Sequence, residues 1–376
     1  MEPVRWFDDI GLADVDQVGG KGANLGELTR AGLPVPRGFV VTSGAFLEAI
    51  ALSGVRDRLR ELVSEVAPDD AGALSRAAEA AQELVRSTPV PGRIGEAVIK
   101  AYHELGDRLR VAVRSSATAE DAGDTSFAGM NATFTNVTGD AEVLARLSDC
   151  WASLYGERVV AYRANGALTD EPAIAVVVQE MVPSERSGVM FTADPVTGDT
   201  DRVVIEAVLG LGESIVSGAV EPDTYVVSKA TQAIVSTRVG RQSHMIVLGD
   251  DGHDLETALT PEQAAQQVLD QREIVEVAGL ALKVEQHYRS PQDIEWAIAG
   301  GATYLVQSRP ITTLTSAVQG ASENEAPVLV TGLGASAGTA TGAVRVLTDP
   351  AQRGLVQPGE VLVATMSSPD WMSAMR

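Results

Sequence analysis

Apolar positions along this chain follow two periods that alternate in blocks. Val18-Gly19-Gly20-Lys21-Gly22 leads into Ala23 to Ala31, where Leu25 and Leu28 at helical spacing predict a Gly-rich loop feeding a helix N-terminus. Residues 44 to 105 read as mostly helical, and in the last of these segments Ile94, Val98, Tyr102 and Leu105 recur every three or four residues. From Arg110 the period changes. Val111 and Val113 alternate into Arg114-Ser115-Ser116, a short strand entering a polar loop that continues through Gly123 to Gly129. Ala132 to Val137 is β-rich, Ala141 to Arg163 helical, and β-rich runs follow at 173 to 182, 187 to 192 and 202 to 208.

A helix is expected from Thr260, an N-cap with Pro261 in the first turn and Gln263 completing a capping box, as far as His287. Pro291 stops it. Two β-rich runs follow at 292 to 298 and 303 to 309, split by Gly300-Gly301. The polar stretch Thr312 to Ala326 reads as a linker, and a Gly- and Val-rich segment runs from there to Arg376. The pattern is that of a mixed α/β (α+β) protein with no internal repeat.

Length makes this more than one folding unit, since 376 residues exceed the usual single domain. Asp and Glu number 51 against 29 Lys and Arg, a formal net charge of -22 that opposes nucleic acid and anionic membranes as generic partners. An anionic ligand then needs the few cations gathered in one place, with a divalent metal to offset the remaining charge. The single cysteine, Cys150, has no internal disulfide partner. Met1 to Gly11 lacks the basic-then-apolar order of a signal peptide, and no run approaches a membrane span, so a cytoplasmic location is expected.

The 292 to 309 hairpin offers a register that can be argued. A two-residue Gly300-Gly301 turn pairs Glu295 with Val306 and mixes charged and apolar side chains on one face. A three-residue loop, Gly300 to Ala302, pairs Glu295 with Gln307, Asp293 with Arg309 and Trp296 with Val306, and separates the faces. In that register one face carries two carboxylates, an amide oxygen and a guanidinium, which suit a hard cation and a phosphate. A solvated strand face with an Asp293-Arg309 ion pair accounts for the same residues.

Other candidates are equally two-sided. Lys21 sits where a lysine can reach a phosphate, although the P-loop spacing is absent. Arg114 lies at a strand end, and Gly123 to Gly129 with Thr133 forms either a phosphate-covering loop or a connection. Gln179-Glu180-Met181-Val182 ends an apolar strand whose main chain can pair with an adenine edge. Glu206 and Glu213 flank Gly210-Leu211-Gly212 and can add a carboxylate near metal or ribose.

In this order the segments resemble the pyruvate phosphate dikinase and phosphoenolpyruvate synthase family. The matching runs are Val18 to Leu28, Val113 to Asp121, Ser126-Phe127-Ala128-Gly129, Ser187 to Thr192, Gly210 to Glu213, Pro291 to Trp296 and Gln307 to Pro310. The resemblance implies an ATP-grasp fold with subdomains at 1–209 and 210–312, a linker at 313–326, and the start of a swivelling phosphohistidine domain at 327–376. It implies ATP and Mg2+ as ligands, with Lys21, Arg114 and Arg309 as phosphate-holding cations and Glu295 with Gln307 as the magnesium pair. It also implies Gly129 and Thr133 in the loop over the triphosphate, Gln179, Met181 and Val182 at the adenine, and Glu213 and Asp293 near the nucleotide.

One departure is Met130, where relatives commonly have Gln. The family's Thr-x-Gly-Gly-x-x-x-His-Ala-Ala run does not occur in these residues, and His103, His244, His253 and His287 lie in unrelated contexts. A phosphohistidine domain and an acceptor-binding domain are therefore the expected partners in a complete protein. The phosphate acceptor is left open between pyruvate and an antibiotic, as in rifampicin phosphotransferases. A nucleotide-binding module without turnover is the third alternative.

Overall fold

The computed structural model describes residues 2–64, 66, 71–118, 132–157, 159–160, 173–249, 252–312 and 339–364. Gly129 and the run around it, the 313–326 linker, and residues 327–338 and 365–376 of the expected phosphohistidine segment lie outside the described residues. The architecture is mixed α/β with antiparallel sheets, and the chain divides into two units. The first comprises residues 1–183 with 248–254 and 304–309; the second holds the remainder.

Within the first unit a sheet forms from β1 (Val4–Trp6), β2 (Gly38–Val41), β3 (Val111–Ala117), β4 (Thr133–Val137) and β5 (Ile174–Glu180), in the order β1-β2-β5-β3-β4. Each neighbouring pair is antiparallel. The central strand β5 reads Ile174-Ala175-Val176-Val177-Val178, apolar on both faces because both are covered. Val176 and Val178 join Phe39, Val111 and Val113 in the larger core, against α2 (Ser43–Ser53), α3 (Arg56–Ser64), α4 (Ala71–Arg86), α5 (Gly92–Leu105) and α6 (Asp140–Ser153). Ala175 and Val177 join Val40 in a smaller core under α1 (Val15–Arg30) with Val18, Ala23 and Leu25. Cys150 lies in the larger core, where burial pushes its thiol well above the ordinary range.

The second unit is built on β6 (Arg186–Phe191), β7 (Arg202–Leu209), β8 (Asp223–Ser228), β9 (Ile234–Arg238) and β12 (Gln292–Ala299). With β13 (Ala302–Pro310) at one edge, the strand order is β13-β12-β6-β7-β8-β9. β10 (His244–Leu248) and β11 (Asp254–Ala258) form a separate two-stranded sheet, and β14 (Ala343–Leu347) pairs in parallel with β15 (Glu360–Ala364). Short α7 (Glu213–Val216) and α8 (Pro261–Ala264) precede the long α9 (Gln271–Tyr288).

The apolar stripe Ile274, Val277, Ala278, Ala281 and Val284 of α9 is fully covered. Burying each Ile or Val contributes about 1.5–3 kcal/mol. On the sheet the covered face carries Ile294, Trp296, Met190, Ile205 and Tyr225. Asp223 closes this unit from within: its carboxylate accepts from the N–H groups of Gly240 (2.9 Å) and Val268 (2.8 Å) and from the Tyr225 hydroxyl (2.8 Å). Three donors satisfy a carboxylate that burial would otherwise penalise.

Three expectations are corrected. The helix expected from Thr260 to His287 is two helices: Thr260 and Gln263 do form a capping box, but α8 ends at Ala264, and Asp270 with Glu273 forms a second box that starts α9. The turn between β12 and β13 has two residues, Gly300 and Gly301, both at positive φ (56° and 75°), and Ala302 already belongs to β13. Two left-handed residues are what a tight turn matched to strand twist requires. Finally, the strand expected to end at Arg114 runs on through Ser115 and Ser116 to Ala117, because β3 is flanked on both sides by β4 and β5 as far as its partners reach. The leading segment of the first unit ends at Pro183, and β6 and β7, in the second unit, pair with β12 and β8.

Two predictions follow from packing and charge. A Cβ on Gly188 would lie 1.9 Å from the Glu206 carbonyl oxygen and 2.7 Å from Trp296 Cζ2, whereas one on Gly279 of α9 meets nothing within 4 Å. Gly188→Ala should therefore cost about 1–3 kcal/mol in urea unfolding, and Gly279→Ala should stabilise by roughly 0.5–1 kcal/mol. His103 bridges Asp107 (3.4 Å) and Asp140 (3.0 Å), and these side-chain bonds hold its imidazole above the ordinary histidine range. Its contribution is present below the ordinary histidine pKa and lost as pH rises through the raised value. NMR titration should show the His103 midpoint falling in Asp140→Asn.

Candidate functional site

The Gly-rich run Val18 to Gly22 does not stand ahead of a helix as a loop. It forms the kinked first part of α1, where Gly19 breaks the helix at φ 68°, ψ 171°. The break lets the chain lie directly on β3. Ser116 Oγ donates to the Val18 carbonyl (2.9 Å) and accepts from the Gly22 N–H (3.2 Å). A Cβ on Gly19 would stand 2.3 Å from the Ser116 carbonyl oxygen, so only glycine permits this approach. Asn24 holds the same turn from the other side, its amide donating to the Gly20 carbonyl at 2.9 Å.

This clasp carries Lys21, which is 8% exposed, onto the α1 side of the sheet. Alternation along β3 sends Val111 and Val113 to the helical core and Arg114 with Ser116 to the face under α1, since Arg114 pairs with Val177. Thr133 pairs with Arg114 from β4 and so shares that face. Arg114 donates to the Val306 carbonyl at 3.1 Å, and the Leu305 N–H donates to the Pro34 carbonyl at 2.8 Å. These bonds bind residues 304–309, which include Gln307 and Arg309, into the first unit. Lys21, Arg114, Thr133, Gln307 and Arg309 thus belong to one unit, and Ser116, two residues beyond Arg114, ties down the main chain on either side of Lys21.

The expected adenine segment closes the same unit at the end of β5. Gln179 is buried on the α1 face, with its amide 3.5 Å from the Pro36 carbonyl. The N–H groups of Glu180 and Met181 donate to the carbonyls of Arg37 (2.8 Å) and Arg110 (3.0 Å), which fixes the chain where it leaves the sheet. Val182 is buried beside the half-exposed Met181.

In the second unit the face of the sheet opposite α9 carries the acids. Glu295 pairs with Val189, Val189 with Glu206, Glu206 with Thr224 and Thr224 with Arg238, so these five side chains form one row across the sheet. Asp293 stands two residues along β12 on the same face. Burial raises the Glu206 carboxyl above its ordinary range, Arg238 opposes this and Asp293 adds to it. Glu213 opens α7 and is exposed. Among the described residues no cluster of three or more His, Cys, Asp or Glu side chains gathers as a metal cage. Sequence periodicity alone does not single out Ser116 or Asn24; the alternation Ala112-Arg114-Ser116 would have signalled the former had the strand been extended beyond Val113.

A glycine-kinked helix start, a buried lysine and a strand-borne arginine thus lie in one unit of the chain. The family model described as pyruvate phosphate dikinase, AMP/ATP-binding domain, matches residues 15–327, and the chain belongs to that family. The probable phosphoenolpyruvate synthase of Archaeoglobus fulgidus is 44% identical over 384 residues, covering 100% of this chain and 51% of that one. That of Methanothermobacter thermautotrophicus is 42% identical, covering 99% of this chain and 55% of its own length. The phosphoenolpyruvate synthase of Pyrococcus furiosus is 39% identical, covering 99% and 52%. The chain spans about half the length of these relatives.

Among solved structures, D-alanyl-alanine synthetase A from Vibrio cholerae aligns with 64% of this chain and 57% of that one at 10% identity and a TM-score of 0.25. No helix among the described residues is long and apolar enough to cross a membrane.

The clasp makes a discriminating prediction. Gly19 and Gly32 have nearly the same positive φ, 68° and 71°, but a Cβ on Gly32 meets nothing within 4 Å. Gly32→Ala should cost about 1 kcal/mol from the dihedral alone, and Gly19→Ala roughly 2–4 kcal/mol because Ser116 must also move. Urea unfolding of the two variants side by side checks this.

Proposed function

We propose that this chain is the Mg-ATP-binding, ATP-grasp part of a phosphoenolpyruvate synthase-like phosphotransferase. In this reading Lys21, Arg114 and Arg309 hold the phosphates, and Glu295 with the Gln307 amide oxygen holds Mg2+, an assignment that rests on residue type and the family resemblance and not on the three-residue-loop register, which the Gly300-Gly301 turn replaces. Gln179, Met181 and Val182 receive the adenine, Gly129 and Thr133 lie over the triphosphate, and Glu213 and Asp293 complete the nucleotide contacts. The observation that carries it is the clasp of Ser116, two residues beyond Arg114 on β3, on the Val18 and Gly22 main chain that flanks Lys21, together with the bond from Arg114 to the Val306 carbonyl on the strand bearing Gln307 and Arg309. A carboxylate and an amide oxygen are hard donors that fit Mg2+, which usually takes one or two protein ligands and fills its shell with water and phosphate. The lack of a larger acidic cage among the described residues agrees with that habit.

The chemistry asked of these residues is positioning and charge neutralisation, as in other phosphoryl transfers. Bound Mg2+ would neutralise charge shared between phosphate oxygens. Lys21 is a compact cation, almost fully buried, on a turn whose main chain is held by Ser116 and Asn24; Arg114 and Arg309 offer planar forks suited to phosphate oxygens. The phosphoryl group would pass to a histidine of a phosphohistidine domain, for which residues 327–376 are the proposed start, and from there to pyruvate. The names of the relatives favour pyruvate over an antibiotic as that acceptor.

Isothermal calorimetry with the 376-residue chain tests the assignment. Lys21→Ala and Arg309→Ala should each raise the Kd for Mg-ATP about tenfold or more, the loss of one charge-assisted phosphate contact. Glu295→Gln should remove most of the dependence of ATP affinity on added Mg2+. Unchanged affinity in both cation variants would refute the site.

A further inference from the structure

We infer that Asp254 is a positioning residue for the phosphate end of the nucleotide site, acting through a β-bulge that decides which side chain of β4 faces Arg114. The inference rests on the nucleotide reading above.

β4 does not run in simple register with β3. Val111 pairs with Val137, but Val113 pairs with Phe134 and Arg114 with Thr133. Between these pairs β3 advances two residues and β4 three, so β4 carries one extra residue within Thr135-Asn136. Asn136 has φ 56°, a left-handed conformation that Asn tolerates better than most side chains. Successive side chains in a regular strand point to opposite faces. Here neighbours do not: the Thr135 hydroxyl and the Asn136 amide both donate to the carboxylate of Asp254, one oxygen each. Only the bulge lets one acceptor take both. Asn136 is 7% exposed and Asp254 belongs to the segment 248–254 of the same unit.

The bulge has a definite consequence at the site. With it, Phe134 shares a face with Val137 and Val113, packs on the helical core and lies under Arg146, whose guanidinium carbon is 4.9 Å from the ring centroid. Thr133 is then left beside Arg114. Without it, the register Val111 to Val137 would continue unbroken and place Phe134 opposite Arg114, an aromatic ring where a hydroxyl now stands. The Asp254 carboxylate engages the two bulged residues and no other side chain of β4. It therefore selects the register that presents Thr133 to the phosphate side.

The test is a double-mutant cycle on Mg-ATP binding by calorimetry, with circular dichroism and a thermal melt on every variant. Asp254→Ala and Thr133→Ala should each raise Kd about fivefold, and the double variant no further than the larger single, because one acts through the other. Asp254→Asn should stay within about twofold of wild type, since its oxygen can accept from Asn136 and its amide can donate to Thr135. If Asp254→Ala does not fold, Asn136→Gly, which keeps the positive φ and removes a donor, should raise Kd in the same direction. Wild-type affinity in Asp254→Ala, additive effects in the double variant, or wild-type affinity in Asn136→Gly where that variant is needed, overturns the role of Asp254. A wild-type chain that does not bind Mg-ATP overturns the nucleotide reading as well.

Discussion

Between Gly19 and Ser116 there is no room for a side chain, and the cationic end of the first unit depends on that closeness. A backbone turn lying on a strand can be tied by one hydroxyl that both donates and accepts, and Ser116 does so between Val18 and Gly22. The cost is a left-handed residue and a kink at the start of α1. The return is a lysine that is almost fully covered yet held by its own backbone, next to the strand that bears Arg114. Arg114 in turn grips the Val306 carbonyl. A chain with a net charge of -22 can accumulate positive potential only locally, and these contacts fix the main chain beside Lys21 and the head of Arg114 within one unit.

The second unit is organised by the contrast between the two faces of its sheet. One face is sealed by α9 and holds Ile294, Trp296 and Met190; the other leaves Asp293, Glu295 and Glu206 half-covered. The two-face rule makes these acids inseparable from the core, because the alternation that buries Ile294 and Trp296 must turn Asp293 and Glu295 outward. Partial burial keeps Glu206 more readily protonated than an ordinary carboxyl, Arg238 opposes this, and repulsion from Asp293 adds to it. A cation arriving at this face would relieve that repulsion. Gly188, with the Glu206 carbonyl and Trp296 pressed against it, sets how closely β6 and β7 approach under the row.

Much of this was legible from residue order. The strands β5, β6, β7, β12 and β13 follow from β-branched runs bounded by Gly and Pro, and Lys21, Arg114, Glu295, Gln307 and Arg309 were picked out by residue type and by resemblance to the dikinase family. The break within Thr260 to His287 was also written in the chain, as the second capping box Asp270-x-x-Glu273, but an unbroken apolar rhythm masked it. The turn at Gly300-Gly301 was misread by one residue because cleanness of faces was preferred over the chemistry of two adjacent glycines, which favours the shorter turn.

By itself, then, the sequence determined strands β3 to β7, β12 and β13 and most of the helices before residue 160, together with the alternation that makes one face of β12 acidic, but not β1, β2 or β8 to β11. Those properties depend on neighbours within a few residues, through periodicity, capping and turn conformation. Only the tertiary structure decided that Ser116 clasps the main chain beside Lys21, that Val306 offers its carbonyl to Arg114, and that an exposed carboxylate more than a hundred residues away accepts from the bulge beside Thr133. Such contacts link residues far apart in the chain through single donors and acceptors, and no local period records which partner a hydroxyl, amide or carbonyl will find.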